Sequence, residues 1–144
     1  MDATAEASLQ DALAAEHAAL WCYSYAVAFL PAAQLGQARQ DEDAHRTLRG
    51  QIEQTLTQLG ARAVSAQPAY ATPQPVTDGP SAAGLILVAE TDALAAWRSV
   101  VERTADRELR RAALTALTDG TLRTARWRVV VGTPPAIPVF PGRP

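Results

Sequence analysis

The sequence predicts an all-α protein: a four-helix bundle made of two antiparallel hairpins, joined by a long crossover and followed by an extended tail. Two observations support this prediction. Apolar residues recur at spacings of three and four over four long segments, which is the period of an amphipathic helix. Most of the prolines gather in two other stretches, one between the second and third segments and one at the end. Because proline interrupts helices, these stretches are predicted as the crossover and the tail.

Length and composition restrict the class of protein. The 144 residues are enough for one domain with its own core, and we assign 1–144 to a single domain. The longest early apolar run, AALWCYSYAVAFL, is shorter than the ~18 residues of a membrane span and follows an acidic opening. We therefore expect a cytoplasmic protein with no membrane partner. The net charge of −2 gives no reason to expect a nucleic-acid partner, and the single cysteine, Cys22, excludes an internal disulfide.

The first helix is predicted over residues 8–30, with Ser8 as its N-cap and Pro31 just after its end. The second is predicted over 36–59, before Gly60. The signals for the third helix are a cap at Asp78 or Ser81 and a new apolar period. The remaining boundaries follow from the same signals: crossover 61–80, third helix 81–104, fourth helix 107–131 and tail 132–144.

The connection lengths set the topology. The links within each hairpin are short, so helices 1 and 2, and helices 3 and 4, must be antiparallel neighbours. A 24-residue helix is ~36 Å long, whereas the crossover can reach ~55 Å or more if it is extended like polyproline. The crossover can therefore run the full length of the bundle and make helices 2 and 3 parallel. This is the ferritin-like arrangement.

Several segments carry a family resemblance that spans about residues 8–142. They are LAAEHAAL, DAHRTLRGQIEQTLTQLGA, PAYATPQPVTD, the Ala-Trp-Arg at 96–98 and LTDGTLRTARWR. Together they resemble DUF4439, a ferritin-like domain family of uncharacterised function found largely in actinobacteria. The resemblance implies a ferritin-like fold and no particular activity, substrate or cofactor.

The polar residues on the predicted inward faces form half of a metal site. Ferritin-like di-iron proteins take a Glu from helices 1 and 3 and a Glu-x-x-His from helices 2 and 4. Helix 1 offers Glu16 and helix 3 offers Glu90. Helix 2 offers Glu42 and His45, whereas the predicted fourth helix has no histidine and Asp119 as its nearest acid. An incomplete ligand set cannot balance two metal ions, so we expect no metal and no other cofactor.

Iron or manganese is the alternative, with Glu42, His45, Glu90 and Asp119 as its ligands. We favour a buried polar layer that neutralises itself. With the first hairpin's midpoint near residue 33, Glu16 lies ~12 Å further along the axis than Glu42, so it is predicted as a separate polar position. The predicted layer consists of Tyr23, Glu42, His45, Glu90, Asp92 and Asp119.

Three functions stay open, and we favour the first without assigning an enzyme activity. The first is a non-catalytic bundle that acts through a partner or a second copy. In it the tail buries Val139 and Phe140, either on its own bundle or across a homodimer. The second is a metal-dependent oxidase or storage protein. The third is a bundle that binds an unidentified small molecule beside the layer, and a cavity there lined by Tyr23 and Trp97 would favour it.

Overall fold

A computed structural model describes residues 1–143, and within that range it contains four helices and no strand. The prediction of an all-α four-helix fold is confirmed. The helices are α1 (Ala3–Ala26), α2 (Ala32–Gln58), α3 (Gly79–Arg103) and α4 (Arg107–Val131).

The first hairpin begins and turns earlier than predicted. Asp2 caps α1 by accepting a hydrogen bond from the Ala5 amide at 2.8 Å, because Asp is a strong N-cap and the alanine-rich residues after it favour a helix. The predicted cap, Ser8, lies inside the helix and donates to the Ala5 carbonyl. The predicted end at residue 30 is also wrong, since α1 stops at Ala26 and α2 starts directly after Pro31.

The second hairpin has well-defined ends. Asp78 and Ser81 form a capping box at the start of α3, which begins at Gly79 and ends at Arg103. Asp106 caps α4 by accepting from the Leu109 amide at 2.7 Å. Helix α4 has its predicted bounds and stops at Gly132, whose φ of 79° is a conformation that favours glycine.

Contacts across the bundle establish the helix directions. Helices α1 and α2 are joined by the short turn 27–31 and are antiparallel. Against α3, Glu16 of α1 is bonded to Trp97, and Tyr23, further along α1, is bonded to Glu90, so α1 and α3 are antiparallel too. Helices α2 and α3 therefore run parallel, as predicted. This arrangement is consistent with a ferritin-like topology.

The crossover lies along α1. Residues 61–78 contain no helix or strand. The Gln10 side chain donates to the Arg62 carbonyl and accepts from the Val64 amide, both at 2.8 Å, and Tyr70 packs against Trp21 with ring centroids 5.9 Å apart. The segment thus follows α1 from its first turns toward the turn of the hairpin.

The interior consists of two main apolar clusters at the two ends of the bundle. The cluster near the start of α1 includes Leu13 and Ile52, and the cluster near the first turn includes Ile86 and Trp127. A polar layer lies between them. None of the helices formed by residues 1–143 is both long enough and apolar enough to span a membrane.

The tail docks by its backbone and not by its apolar side chains. Val139 is 71% exposed and Phe140 is 60% exposed, so the prediction that they are buried on their own bundle is wrong. Arg98 donates from Nη1 to the Pro141 carbonyl at 3.2 Å. A Cβ at Gly142 would lie 2.6 Å from the Leu94 carbonyl oxygen, so the chain approaches α3 closely there. The main chain of the tail takes up the contact with α3 and leaves the two side chains facing outward.

Candidate functional site: a buried charge layer

Each helix contributes one charged side chain to the layer between the two apolar clusters. These are Glu16 of α1, His45 of α2, Glu90 of α3 and Arg123 of α4. The first three are 0% exposed and Arg123 is 6% exposed. Charges taken this far out of water must be paired and hydrogen-bonded, because desolvation otherwise costs several kcal/mol per ion.

His45 sits between the two carboxylates. Its Nδ1 lies 2.5 Å from Glu16 Oε2, and its Nε2 lies 2.7 Å from Glu90 Oε1. Trp97 Nε1 donates to the other oxygen of Glu16 at 2.7 Å, and the Tyr23 hydroxyl donates to Glu90 Oε1 at 2.6 Å. Both ring nitrogens of His45 therefore act as donors, which makes the ring an imidazolium.

Arg123 completes the layer from α4. Its Nε lies 3.3 Å from one oxygen of Glu90 and 3.4 Å from the other. Gly120, one turn earlier, leaves room for the guanidinium, since a Cβ there would lie 3.4 Å from Arg123 Nη2 and 3.0 Å from Leu94 Cδ2. With two carboxylates, one imidazolium and one guanidinium, the charges of the layer cancel.

The pKa shifts follow from this arrangement. Burial alone lowers the pKa of His45, but the carboxylates of Glu90 and Glu16 outweigh it and raise the pKa to about 9. Burial alone raises the pKa of Glu90, but His45 and Arg123 outweigh it and hold that pKa below its usual value. Burial and the charge of Glu90 raise the pKa of Tyr23 well above its usual value. At neutral pH, His45 is therefore a cation and Tyr23 a neutral donor.

A third buried acid, Asp41, lies one turn before His45 on α2. Its Oδ2 accepts from Trp127 Nε1 at 2.9 Å, and its Oδ1 accepts from Arg126 Nη2 and Gln37 Nε2, each at 2.9 Å. Asp41 is 2% exposed, and sequence reasoning missed it. Each donor to Asp41 comes from α4 or from the preceding turn of α2, so this acid joins the two helices.

The position of apolar Leu48 in the sequence could have indicated that Asp41 faces the interior. The predicted inward face of α2 carried Glu42 and His45, whereas the buried face runs through Asp41 and His45, and Leu48 packs against the core. Seven residues, or two turns, bring a helix back to nearly the same face. A face that includes apolar Leu48 and not Arg49 therefore includes Asp41 and not Glu42.

The structure places three of the predicted layer residues together: Tyr23, His45 and Glu90. Glu42 is not among them. It lies at the rim of α2, where it accepts from Ser24 Oγ at 3.1 Å and pairs with Arg46 at 3.2 Å. The predicted position of Glu42 along the axis of α2 was right, but the prediction that its side chain faces the interior was wrong.

Asp92 and Asp119 are also outside the layer, and both are exposed. Asp92 is two residues after Glu90, which turns it about 200° around the helix at 3.6 residues per turn. Asp119 precedes Gly120, and it is the glycine that faces inward. Arg123, one turn further along α4, fills the place predicted for Asp119.

The prediction that Glu16 lies apart from the layer is wrong, since its carboxylate contacts His45. The error comes from the turn. Because α1 ends at Ala26 and α2 begins at Ala32, the hairpin's midpoint is near residue 29 and not near 33. Reflection through the turn doubles this offset to about eight residues, or ~12 Å at 1.5 Å per residue, which is the whole predicted gap.

The layer does not fit a ferritin-like di-metal centre. Both ring nitrogens of His45 are engaged with carboxylates, whereas a metal ligand needs an unprotonated nitrogen. Helix α4 brings the cation Arg123 where such a centre takes an acid and a histidine. Of the alternative ligand set, Glu42 and Asp119 do not meet His45 and Glu90. In the part of the chain that the structure describes, no group of three or more His, Cys, Asp or Glu side chains is arranged to hold a metal ion.

The layer is also closed to a small molecule at Tyr23 and Trp97. Tyr23 is 0% exposed and Trp97 is 5% exposed, and each uses its polar atom within the layer. These two side chains therefore offer no exposed surface to a ligand, and the cavity that would have favoured a small-molecule site beside the layer is not observed at them. They contribute hydrogen bonds and packing.

Comparison with known proteins identifies a family and a similar solved structure. A family model for a domain of unknown function, DUF4439, matches residues 8–144. The crystal structure of a conserved hypothetical protein from Mycobacterium tuberculosis is similar, with a TM-score of 0.86 and 33% sequence identity; the match covers 90% of this chain and 99% of that one. The comparison with curated proteins returns no significant match.

Proposed function

The chain belongs to the DUF4439 family of domains of unknown function, which confirms the resemblance, and on that premise we propose that it is a non-catalytic ferritin-like bundle. In this proposal the protein acts by binding a partner or ligand and not by metal-dependent redox chemistry. The observation that carries it is the closed charge layer of Glu16, His45, Glu90 and Arg123.

The layer supports this proposal by its charge balance. A divalent cation would add two positive charges to a set that is already neutral. To coordinate it, His45 would have to lose a proton at a site where the pKa is raised to about 9, and two short hydrogen bonds would be broken. Metal binding at this layer therefore works against both the electrostatics and the hydrogen bonds.

Metal analysis tests the proposal. Protein purified without chelator would be incubated without oxygen with ferrous iron or manganese, desalted and measured by mass spectrometry of the metals. We expect well under one ion per chain. One or two tightly held ions per chain, lost in His45→Ala but kept in the control His17→Ala, would overturn the proposal.

A homodimer is the partner that we propose, and the outward-facing tail supports it. Val139 and Phe140 are exposed although the tail is tied to the bundle through Arg98, and a second copy would cover them. Light scattering of the full chain at about 100 µM should then give a dimer. The double variant Val139→Ser, Phe140→Ser should give a monomer, whereas Val64→Ser, on the crossover, should not. A monomeric wild type would refute the homodimer.

We place the protein in the cytoplasm of an actinobacterium. The buried free thiol of Cys22 is compatible with a reducing compartment. The similar solved protein from Mycobacterium tuberculosis supports the actinobacterial origin.

A further inference from the structure

An open groove of about 280 Å³ lies outside the charge layer, between α1, α2 and the crossover. Its volume is just below the ~300–1,000 Å³ usual for ligand sites, so only a small molecule would fit. The lining includes two arginines, a histidine, a hydroxyl and two aromatic rings. These are Arg46, Arg49, His17, Ser24, Trp21 and Tyr70.

Arg49 is the group in this groove whose hydrogen bonds are incomplete. Its Nε is buried and has no hydrogen-bond partner among residues 1–143. None of the ion pairs within that range includes Arg49. A buried guanidinium nitrogen without an acceptor is costly, and such groups in native proteins usually meet a ligand or an ordered water.

The other arginine of the groove is already paired. Arg46 contacts Glu42 and Asp43 within α2. Glu42 is the acid in the lining, and it is bonded to Arg46 and to Ser24 Oγ. Arg49 is thus the arginine of the lining that no acid pairs with among residues 1–143, and an anion bound in the groove would pair with it.

Aromatic rings form the wall beside these cations. Trp21 is stacked on Tyr25 with centroids 5.1 Å apart and an angle of 15° between the planes, and Tyr70 packs against Trp21 at 57°. The Tyr70 hydroxyl accepts from the Gln67 amide at 3.0 Å, which fixes the ring on the crossover. A preformed aromatic wall favours a ligand with a flat apolar body.

His17 holds the crossover in place beside the groove. It is 7% exposed, and its Nε2 lies 3.1 Å from the Val64 carbonyl oxygen, 47 residues away in sequence. The ring donates to this carbonyl. The wall that the crossover supplies is thereby tied to α1, so the groove exists before any ligand binds.

We propose that this groove binds a small organic anion, a planar ring that carries a carboxylate or a phosphate group. Arg49 donates to the anionic oxygens, and Trp21 and Tyr70 contact the ring. The site is separate from the charge layer, so it does not depend on whether the layer holds a metal.

Calorimetric titration of the full chain with four compounds tests this proposal. Benzoate and phenyl phosphate carry both features, inorganic phosphate lacks the ring, and benzyl alcohol lacks the charge. We expect benzoate or phenyl phosphate to bind, and inorganic phosphate and benzyl alcohol to bind at least about tenfold more weakly. The better of the two ring anions identifies the acid group.

Two variants of equal charge change locate the site. Arg49→Gln should weaken binding of the ring anion at least about tenfold, the loss expected for a charge-assisted hydrogen bond. The control Arg107→Gln, at the exposed start of α4, should change it less than about twofold. Trp21→Leu should also weaken binding and serves as the second variant if Arg49→Gln does not fold. No heat of binding from either ring anion up to about 10 mM, or equal binding by wild type and Arg49→Gln, would overturn the proposal.

Discussion

The protonated state of His45 should make the stability of this bundle fall as the pH rises above neutral. The unfolded chain gives His45 an ordinary pKa of 6.5, whereas the carboxylates of Glu90 and Glu16 raise it to about 9 in the folded protein. Because the folded state holds the proton more tightly, the stabilisation is complete below pH 6.5. It is lost as the pH rises through about 9.

The magnitude follows from these two pKa values. One pKa unit corresponds to about 1.36 kcal/mol, so the shift from 6.5 to about 9 stabilises the native state by about 3 kcal/mol. Glu90 contributes in the opposite range: its pKa lies below the ordinary 4.5, so its contribution is present above pH 4.5 and is lost in acid. Between pH 6 and pH 9 the change is therefore due mainly to His45, with a smaller contribution near pH 9 from Cys22, because burial raises the pKa of its thiol to about 11.

The assay is urea-induced unfolding followed by circular dichroism at several pH values from 6 to 9. We expect the free energy of unfolding of the wild type to fall by about 3 kcal/mol over this range. In His45→Gln, most of this fall should disappear, because the titrating group is gone. His17→Gln is the matched control, since His17 is also buried, and it should keep the wild-type pH dependence.

Two results would refute the reasoning. One is a wild type whose stability is unchanged from pH 6 to pH 9, which would mean that His45 is not held as a cation. The other is an equal fall in His45→Gln, which would assign the pH dependence to a different group.

Three further changes test other contacts. Trp97→Phe removes the indole donor to buried Glu16 and should cost about 1–3 kcal/mol in urea unfolding, and no loss would contradict the bond. Asp78→Ala removes the capping box that Asp78 forms with Ser81 and should cost about 1 kcal/mol, whereas an unchanged midpoint would mean that the cap is dispensable. Cys22 is 6% exposed, and burial raises the pKa of its thiol to about 11, so a disulfide reagent at pH 8 should modify it only in denaturant, and rapid labelling of the native protein would contradict this burial.

The fold could be predicted from the sequence because helix period and proline position are strong local signals. The crossover and the parallel direction of α2 and α3 followed from chain length alone. The first turn was predicted less well. Pro31 was taken as a stop after a helix ending at residue 30, whereas Pro31 directly precedes α2 and the turn begins at residue 27. Proline is found both just after the end of a helix and at the start of the next one, and only the capping interactions distinguish these two cases.

The layer was harder to predict because it depends on angles around each helix and not on residue type. Glu16 was left out of the predicted layer because the first turn was predicted too late in the chain. Glu42 was included in the predicted layer, whereas it is Asp41 that faces inward. Arg123 was not placed in the predicted layer, since an arginine inside a bundle is uncommon without the acid that it meets. Reflection of Glu90 through the second turn, near residue 105, reaches Gly120, and the long side chain of Arg123 spans the remaining turn of α4.

The charge layer also bears on the order in which the protein assembles. Each hairpin contains one acid and one cation: Glu16 with His45 in the first, and Glu90 with Arg123 in the second. Within this layer, either hairpin can therefore form first without burying a net charge. Asp41 is different, since the cation that it meets, Arg126, lies in the second hairpin. What remains is the entropy of closing the crossover, which grows only slowly with its length. Because every helix places one charge in it, the layer itself favours neither hairpin as the first to form.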